Sequence, residues 1–158
     1  MKPKIFDIES PEELLDLVEH KFKLYCEAAV KAPEDILFII MIVNHLREWI
    51  APGYKPKKDG TWPNADSPEK CFSQKVFKDT NFEVIRNLCN GTKHAKKMKN
   101  TGTKYEPNLF AWPNLFAVRN IFMGVPTSYL VDGQPIENYV KPILDMYLEW
   151  FRKSTDSS

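Results

Sequence analysis

An apolar run of eight residues, Ile36 to Val43, constrains the fold of this 158-residue chain more than any other feature. A helix that crosses a bilayer needs roughly 20 apolar residues, so the run is too short to be one. Its β-branched residues suit a buried strand. However, the apolar spacing continues at helical intervals as far as Ile50, and Pro33-Glu34-Asp35 has the composition of a helix start. We therefore expect a helix over 34–50, buried on nearly all sides through its first half.

Two neighbouring segments also carry helix signals. Ser10-Pro11-Glu12-Glu13 has the form of a capping box, and the apolar spacing after it predicts a helix over about 11–31. Ser67-Pro68-Glu69-Lys70 repeats the start signature and predicts a short helix through Phe77. Antiparallel packing of the first two helices across a short connection is the simplest arrangement.

The second half of the chain predicts two more helices and a hairpin. Thr80-Asn81-Phe82-Glu83 is a further capping box, and the helix after it either ends at Asn90-Gly91 or continues through Lys99. Asp132-Gly133 predicts a tight turn between short strands within 103–136. An apolar stripe from Ile136 onward predicts a last helix, in which Pro142 either makes a kink or marks the true start.

These elements predict a mainly α protein with a single domain over 1–158. It is a bundle of about four helices, with a small β-hairpin before the C-terminal helix. Residues 51–68 form a long loop rich in Pro, Gly and Lys, which is either a functional flap or simply mobile. Residues 154–158 are expected to be a disordered polar tail.

Composition excludes several classes of protein. The N-terminus lacks the apolar stretch of a secretory signal. The three cysteines, Cys26, Cys71 and Cys89, are odd in number and form no CxxC pair, so we expect buried, unreactive thiols in a cytoplasmic protein. No zinc, phosphate-loop or serine-nucleophile motif occurs. We therefore predict no metal, no cofactor and no membrane association.

Charge is distributed unevenly along the chain. Residues 1–50 carry a net charge of −4, residues 51–104 carry +7, and residues 105–158 carry −2. A basic central third is suited to contact a phosphate backbone. The same charge is equally suited to pair with the acidic helices of its own chain.

The most suggestive polar constellation lies in this basic part. If the helix continues, Arg86, Asn90 and His94 fall at positions i, i+4 and i+8 and form one ridge beside the apolar face. Lys93 and Lys97 lie on the same side. A guanidinium group stabilises phosphate charge and an imidazole moves protons near neutral pH. Together they can assist attack of a ribose 2′-hydroxyl on its phosphate without a metal.

Arg86-Asn87 followed by His94 resembles the Arg-Asn…His motif of HEPN domains, which are all-helical and include toxin and phage-defence ribonucleases. The resemblance covers about ten residues, and seven residues, 87–93, lie between Arg86 and His94 where the family has four to six. It implies a metal-independent ribonuclease or RNA-binding protein, and it implies a homodimer, since HEPN domains are commonly dimers. In such a protein Arg86 stabilises phosphate charge, Asn90 orients it, and His94 is the general acid or base. The RNA backbone is then bound by nearby cations: Lys93, Lys96, Lys97 and Lys99.

Other interpretations remain open at these positions. Asn90 and Gly91 also suit a helix C-cap followed by a solvated lysine run, which would make His94 a surface residue. His45, at the end of the apolar run, either faces His94 in a two-histidine site or forms a structural hydrogen bond.

The aromatic segment 101–126 supports a different function. Its aromatic and basic residues either stack single-stranded bases, anchor a protein partner, or fill the core. The alternative hypothesis is therefore a non-catalytic interaction module of a phage or bacterium that docks on a partner protein through this segment.

Overall fold

The computed structural model describes residues 8–93 and 128–156. These residues form five helices and one two-stranded antiparallel hairpin. The elements are, in chain order, α1 (Pro11–Glu27), α2 (Pro33–Ile50), α3 (Pro68–Phe77), α4 (Thr80–Lys93), β1 (Leu130–Val131), β2 (Gln134–Pro135) and α5 (Glu137–Asp156). The predicted class, a mainly α protein with a small hairpin before the last helix, is confirmed.

The first helix begins as predicted and ends earlier than predicted. Ser10 Oγ accepts a hydrogen bond from the backbone of Glu13, and the Glu13 carboxylate accepts one from the backbone of Ser10, which completes the capping box. The helix stops at Glu27 instead of 31, because the chain turns to an extended conformation at Ala28. This early end lets the side chain of Lys31 turn into the protein, where it is only 4% exposed.

The apolar run forms the helix α2, and the strand interpretation is wrong. Ile39, Val43 and Leu46 are fully buried in it. This helix packs against each of the other four described helices. It is not buried on nearly all sides through its first half as predicted, because Phe38 and Met41 are 37% and 40% exposed. Over the described ranges no helix is both long enough and apolar enough to cross a bilayer.

The fourth helix starts with a different cap from the predicted one. Thr80 is already helical, and the Asp79 carboxylate accepts hydrogen bonds from the backbone amides of Asn81 and Phe82. A carboxylate is well suited to this position, because it also faces the positive end of the helix dipole. The helix then continues through Gly91 to Lys93, so it does not end at Asn90-Gly91.

The hairpin and the last helix follow the sequence signals closely. Asp132 and Gly133 have φ values of 51° and 76°, as a two-residue hairpin turn requires. Pro142 lies inside α5, so it does not mark the start of that helix. The helix extends to Asp156, and Ser154 Oγ donates to the backbone oxygen of Trp150 at 3.0 Å. The first three residues of the expected tail are therefore helical.

The loop between α2 and α3, residues 51–67, is anchored to the bundle by aromatic side chains. Tyr54 is buried, and its hydroxyl donates to the backbone oxygen of Pro63 at 3.0 Å. The Trp62 ring lies 5.2 Å from that of Tyr54 and meets the Phe77 ring edge-on at 5.0 Å. These contacts join the loop to Phe77 at the end of α3.

Candidate anion-binding site

Arg47, near the end of α2, is a cation that the fold buries. Its side chain is 6% exposed. Nη1 donates to the backbone oxygen of Tyr54 and to Ser73 Oγ, both at 2.9 Å. Arg47 thereby joins α2 to the loop above it and to α3. Nε is also buried, and no described residue accepts a hydrogen bond from it.

A second arginine, Arg86 on α4, approaches the same aromatic ring. Its guanidinium carbon lies 4.1 Å from the centre of the Phe77 ring, and that of Arg47 lies 5.2 Å from the same centre. Both distances are within the range of a cation–π contact. Phe77 therefore brings together one cation from α2 and one from α4.

Neither arginine has a hydrogen-bonded carboxylate partner among the described residues. Arg47 Nη2 lies 3.9 Å from Glu48, and Arg86 Nη2 lies 4.0 Å from Glu83. Both glutamate side chains are more than half exposed, so water screens these contacts. Arg86 Nη1 is buried without an acceptor in the described part of the chain.

Burial is the largest influence on the pKa of both arginines. Burial lowers the pKa of Arg47, the nearby Tyr147 and Glu48 raise it, and the positive charge of Arg86 lowers it further. Burial also lowers the pKa of Arg86, while Glu83 opposes the shift. A guanidinium group stays protonated in proteins, so both groups remain cations that repel each other. An anion near both would relieve that repulsion.

Access to the pair is from the side of Arg86. Its side chain is 25% exposed, whereas that of Arg47 is nearly covered by the loop. The same loop carries the exposed Lys55, Lys57 and Lys58. Chemically, the arrangement can bind an oxyanion through Arg86 while Arg47 raises the local positive potential.

His45, a predicted site residue, is also on α2, and its side chain is 34% exposed. It precedes Arg47 by two positions on α2, and its Nδ1 is 3.6 Å from Glu48. That distance is too long for a hydrogen bond. Positions two apart on a helix face different directions, so His45 does not join Arg47 beside Phe77.

The remaining predicted site residues are described only in part. Asn90 follows Arg86 by one helical turn and is exposed, as a residue on the predicted ridge would be. Lys93 ends α4. The other members of the proposed site lie outside the described residues, namely His94, Lys96, Lys97 and Lys99. The aromatic segment 101–126 also lies outside them. A two-histidine site formed by His45 and His94 therefore stays a prediction.

Sequence reasoning found Arg86 and missed Arg47. The signal was present, because Arg47 follows the buried Val43 by four positions and precedes the buried Ile50 by three. It therefore stands on the core-facing stripe of α2, where a cation is rare unless it is paired. Phe77 was taken only as the last residue of a short helix.

The thiols and possible metal ligands add no second site. Cys89 is buried as expected, but Cys71 is exposed and Cys26 is half-buried. Within 8–93 and 128–156, no three His, Cys, Asp or Glu side chains come together as a metal site requires.

Comparison of the chain with protein-family models, curated proteins and solved structures finds no match. Function therefore has to be argued from the site.

Proposed function

We propose that this chain is an RNA-binding protein whose main phosphate contact is Arg86. The observation that carries the proposal is the state of this guanidinium group. It is fixed against Phe77, partly exposed, and 4.0 Å from a carboxylate oxygen of Glu83. A preorganised guanidinium group of this kind is suited to a phosphate oxygen. The exposed lysines of the α2–α3 loop add the electrostatic attraction that RNA binding needs.

The catalytic form of the proposal is a metal-independent, HEPN-like ribonuclease. In it His94 is the general acid or base, Asn90 orients the phosphate, and Arg86 stabilises the charge that develops on it. Helical backbone through Gly91 supports the shared ridge up to Lys93. A homodimer and a role in phage defence belong to this proposal through the sequence resemblance. A cytoplasmic location is proposed because the described cysteines are free thiols.

RNA binding is tested by fluorescence anisotropy with a labelled single-stranded RNA in EDTA. We expect Arg86→Gln to weaken binding about ten-fold, which corresponds to about 1.4 kcal/mol. Lys23→Gln is the control, because it also removes one positive charge but from an exposed position on α1. Equal affinities for wild type and Arg86→Gln would overturn the proposal.

Cleavage is tested separately on denaturing gels with the same RNA in EDTA. We expect wild type to cleave, and His94→Ala to bind RNA with unchanged affinity but not to cleave it. If His94→Ala cleaves as fast as wild type, the catalytic assignment is wrong and only the binding proposal survives. The alternative, docking on a protein partner through 101–126, concerns residues outside those described, so no contact in the structure favours it.

A further inference from the structure

The arrangement of the two arginines bears on which kind of phosphate group the site takes. Arg47 and Arg86 both lie within cation–π distance of Phe77, with their guanidinium carbons 5.2 Å and 4.1 Å from the centre of its ring. The acidic groups beside them, Glu48 and Glu83, are more than half exposed and stand at about the limit of an ion pair. The site therefore holds more positive charge than its own carboxylates neutralise effectively.

An internal phosphodiester carries one negative charge, whereas a phosphate monoester carries between one and a half and two near neutral pH. A single guanidinium group is enough for the first. Two guanidinium groups that share one ring match the second better, because the additional charge interacts with Arg47 as well as with Arg86.

The steric arrangement favours the same kind of group. Arg47 lies beneath the α2–α3 loop, where its side chain donates to the backbone of Tyr54. The rings of Tyr54 and Trp62 lie next to each other, and Trp62 contacts Phe77. An internal phosphate must lie in an open groove, because nucleotides continue from it in both directions. A terminal phosphate needs access from one side only, which the partly exposed Arg86 provides.

We infer that the Arg47–Phe77–Arg86 cluster is a binding site for a phosphate monoester, the terminal phosphate of an RNA or the phosphate of a mononucleotide, in preference to an internal phosphodiester. This inference rests on the RNA-binding form of the proposed function, and it competes with the catalytic form, in which Arg86 stabilises charge on an internal phosphodiester. Arg86 makes the direct contact, and Arg47 acts as a positioning residue that raises the positive potential and fixes the loop.

The test compares RNAs of one sequence that carry a 5′-phosphate, a 3′-phosphate or two hydroxyl ends. Anisotropy is measured at constant ionic strength with wild-type protein. A hydroxyl-ended RNA that is one nucleotide longer controls for the added charge. We expect at least one of the phosphorylated ends to increase affinity ten-fold or more over both hydroxyl-ended RNAs. Equal affinities for all four RNAs would overturn the inference and leave the proposed function intact.

Substitutions then locate the preference. Arg86→Gln is expected to reduce the preference for a phosphorylated end to within two-fold of unity, and Lys23→Gln is expected to keep it. Arg47→Lys keeps the charge and loses the two-acceptor geometry of Nη1, so we expect a preference intermediate between wild type and Arg86→Gln. Far-ultraviolet circular dichroism checks that each variant is folded. If Arg47→Lys does not fold, the Arg86→Gln result alone decides, because a preference that survives this change contradicts the assignment.

A final arm separates the two sources of the ligand. The thermal midpoint Tm is measured with adenosine 5′-monophosphate, with adenosine and with potassium chloride at matched ionic strength. A rise in Tm with the nucleotide only, in a protein that binds no RNA, would support the monoester site and refute the proposed function. No rise in Tm together with no preference for a phosphorylated RNA end would refute the inference.

Discussion

Replacement of Glu137 by Gln removes the carboxylate that faces Lys31 in the interior. Lys31 Nζ lies 2.9 Å from Glu137 Oε1, and the two side chains are 4% and 17% exposed. The pair joins the connection between α1 and α2 to the start of α5. Without the carboxylate, the Lys31 ammonium group is left with two contacts. These are a hydrogen bond to the backbone oxygen of Cys26 at 3.4 Å and a cation–π contact with the Tyr25 ring at 4.8 Å.

The expected loss of stability follows from this burial. Removing one partner of a buried ion pair costs about 3–5 kcal/mol, because the other charge is left uncompensated. Gln still offers an oxygen to Lys31, and Glu137 is not completely buried, so we expect about 2–3 kcal/mol. Lys31→Met combined with Glu137→Gln should be less destabilising than the sum of the single changes by about 1–2 kcal/mol.

Urea denaturation followed by circular dichroism measures these free energies of unfolding. Asp145→Asn is the matched control on the same helix. Asp145 pairs with Lys141 at 3.0 Å, almost the same distance, but both side chains are more than half exposed. We expect this change to cost less than about 0.5 kcal/mol. If Glu137→Gln costs no more than Asp145→Asn, burial does not set the strength of the pair and the reasoning fails.

Three further predictions concern single side chains. Burial raises the pKa of the Tyr147 hydroxyl, so the stability that this neutral hydroxyl provides is complete below about pH 10 and is lost as the pH rises above it. Tyr147→Phe should therefore flatten the decline in the urea midpoint between about pH 10 and 11.5. An unchanged slope would refute this. Ser73→Ala removes an acceptor of Arg47 Nη1 and should cost about 1–2 kcal/mol in urea unfolding, whereas no measurable loss would show that this hydrogen bond is not important. Ser10→Ala should cost about 1 kcal/mol by the same assay through loss of the cap on Glu13, and Ser10→Thr, which keeps the hydroxyl, should restore most of it.

Local signals in the sequence were reliable where the structure depends only on interactions between neighbouring residues. The capping box at Ser10 and the Asp132-Gly133 turn both involve atoms within a few residues of each other, and both form as predicted. The cap of α4 was assigned one residue too late, because Asp79 and Thr80 are both good capping residues and only the backbone path distinguishes them. The end of α1 was misplaced because the apolar spacing does not mark Ala28, where the backbone becomes extended.

Only half of the candidate site could be inferred in the same way. Arg86 belongs to a visible run of polar residues. The place of Arg47 on the core-facing stripe of α2 was visible in the sequence, but its partners Tyr54 and Ser73 were not, because they are 7 and 26 positions away in the chain. The fold brings them together by placing the α2–α3 loop over the end of α2.

The amino-acid sequence by itself determined the class of fold, because apolar spacing, caps and turn residues act over short distances along the chain. It determined that 34–50 is the central helix and that a hairpin precedes the last one. The tertiary structure alone decided that two cations share the ring of Phe77 and that Lys31 meets a carboxylate 106 residues away. Burial and electrostatic interaction depend on distance in space, and no local pattern of residues encodes that distance.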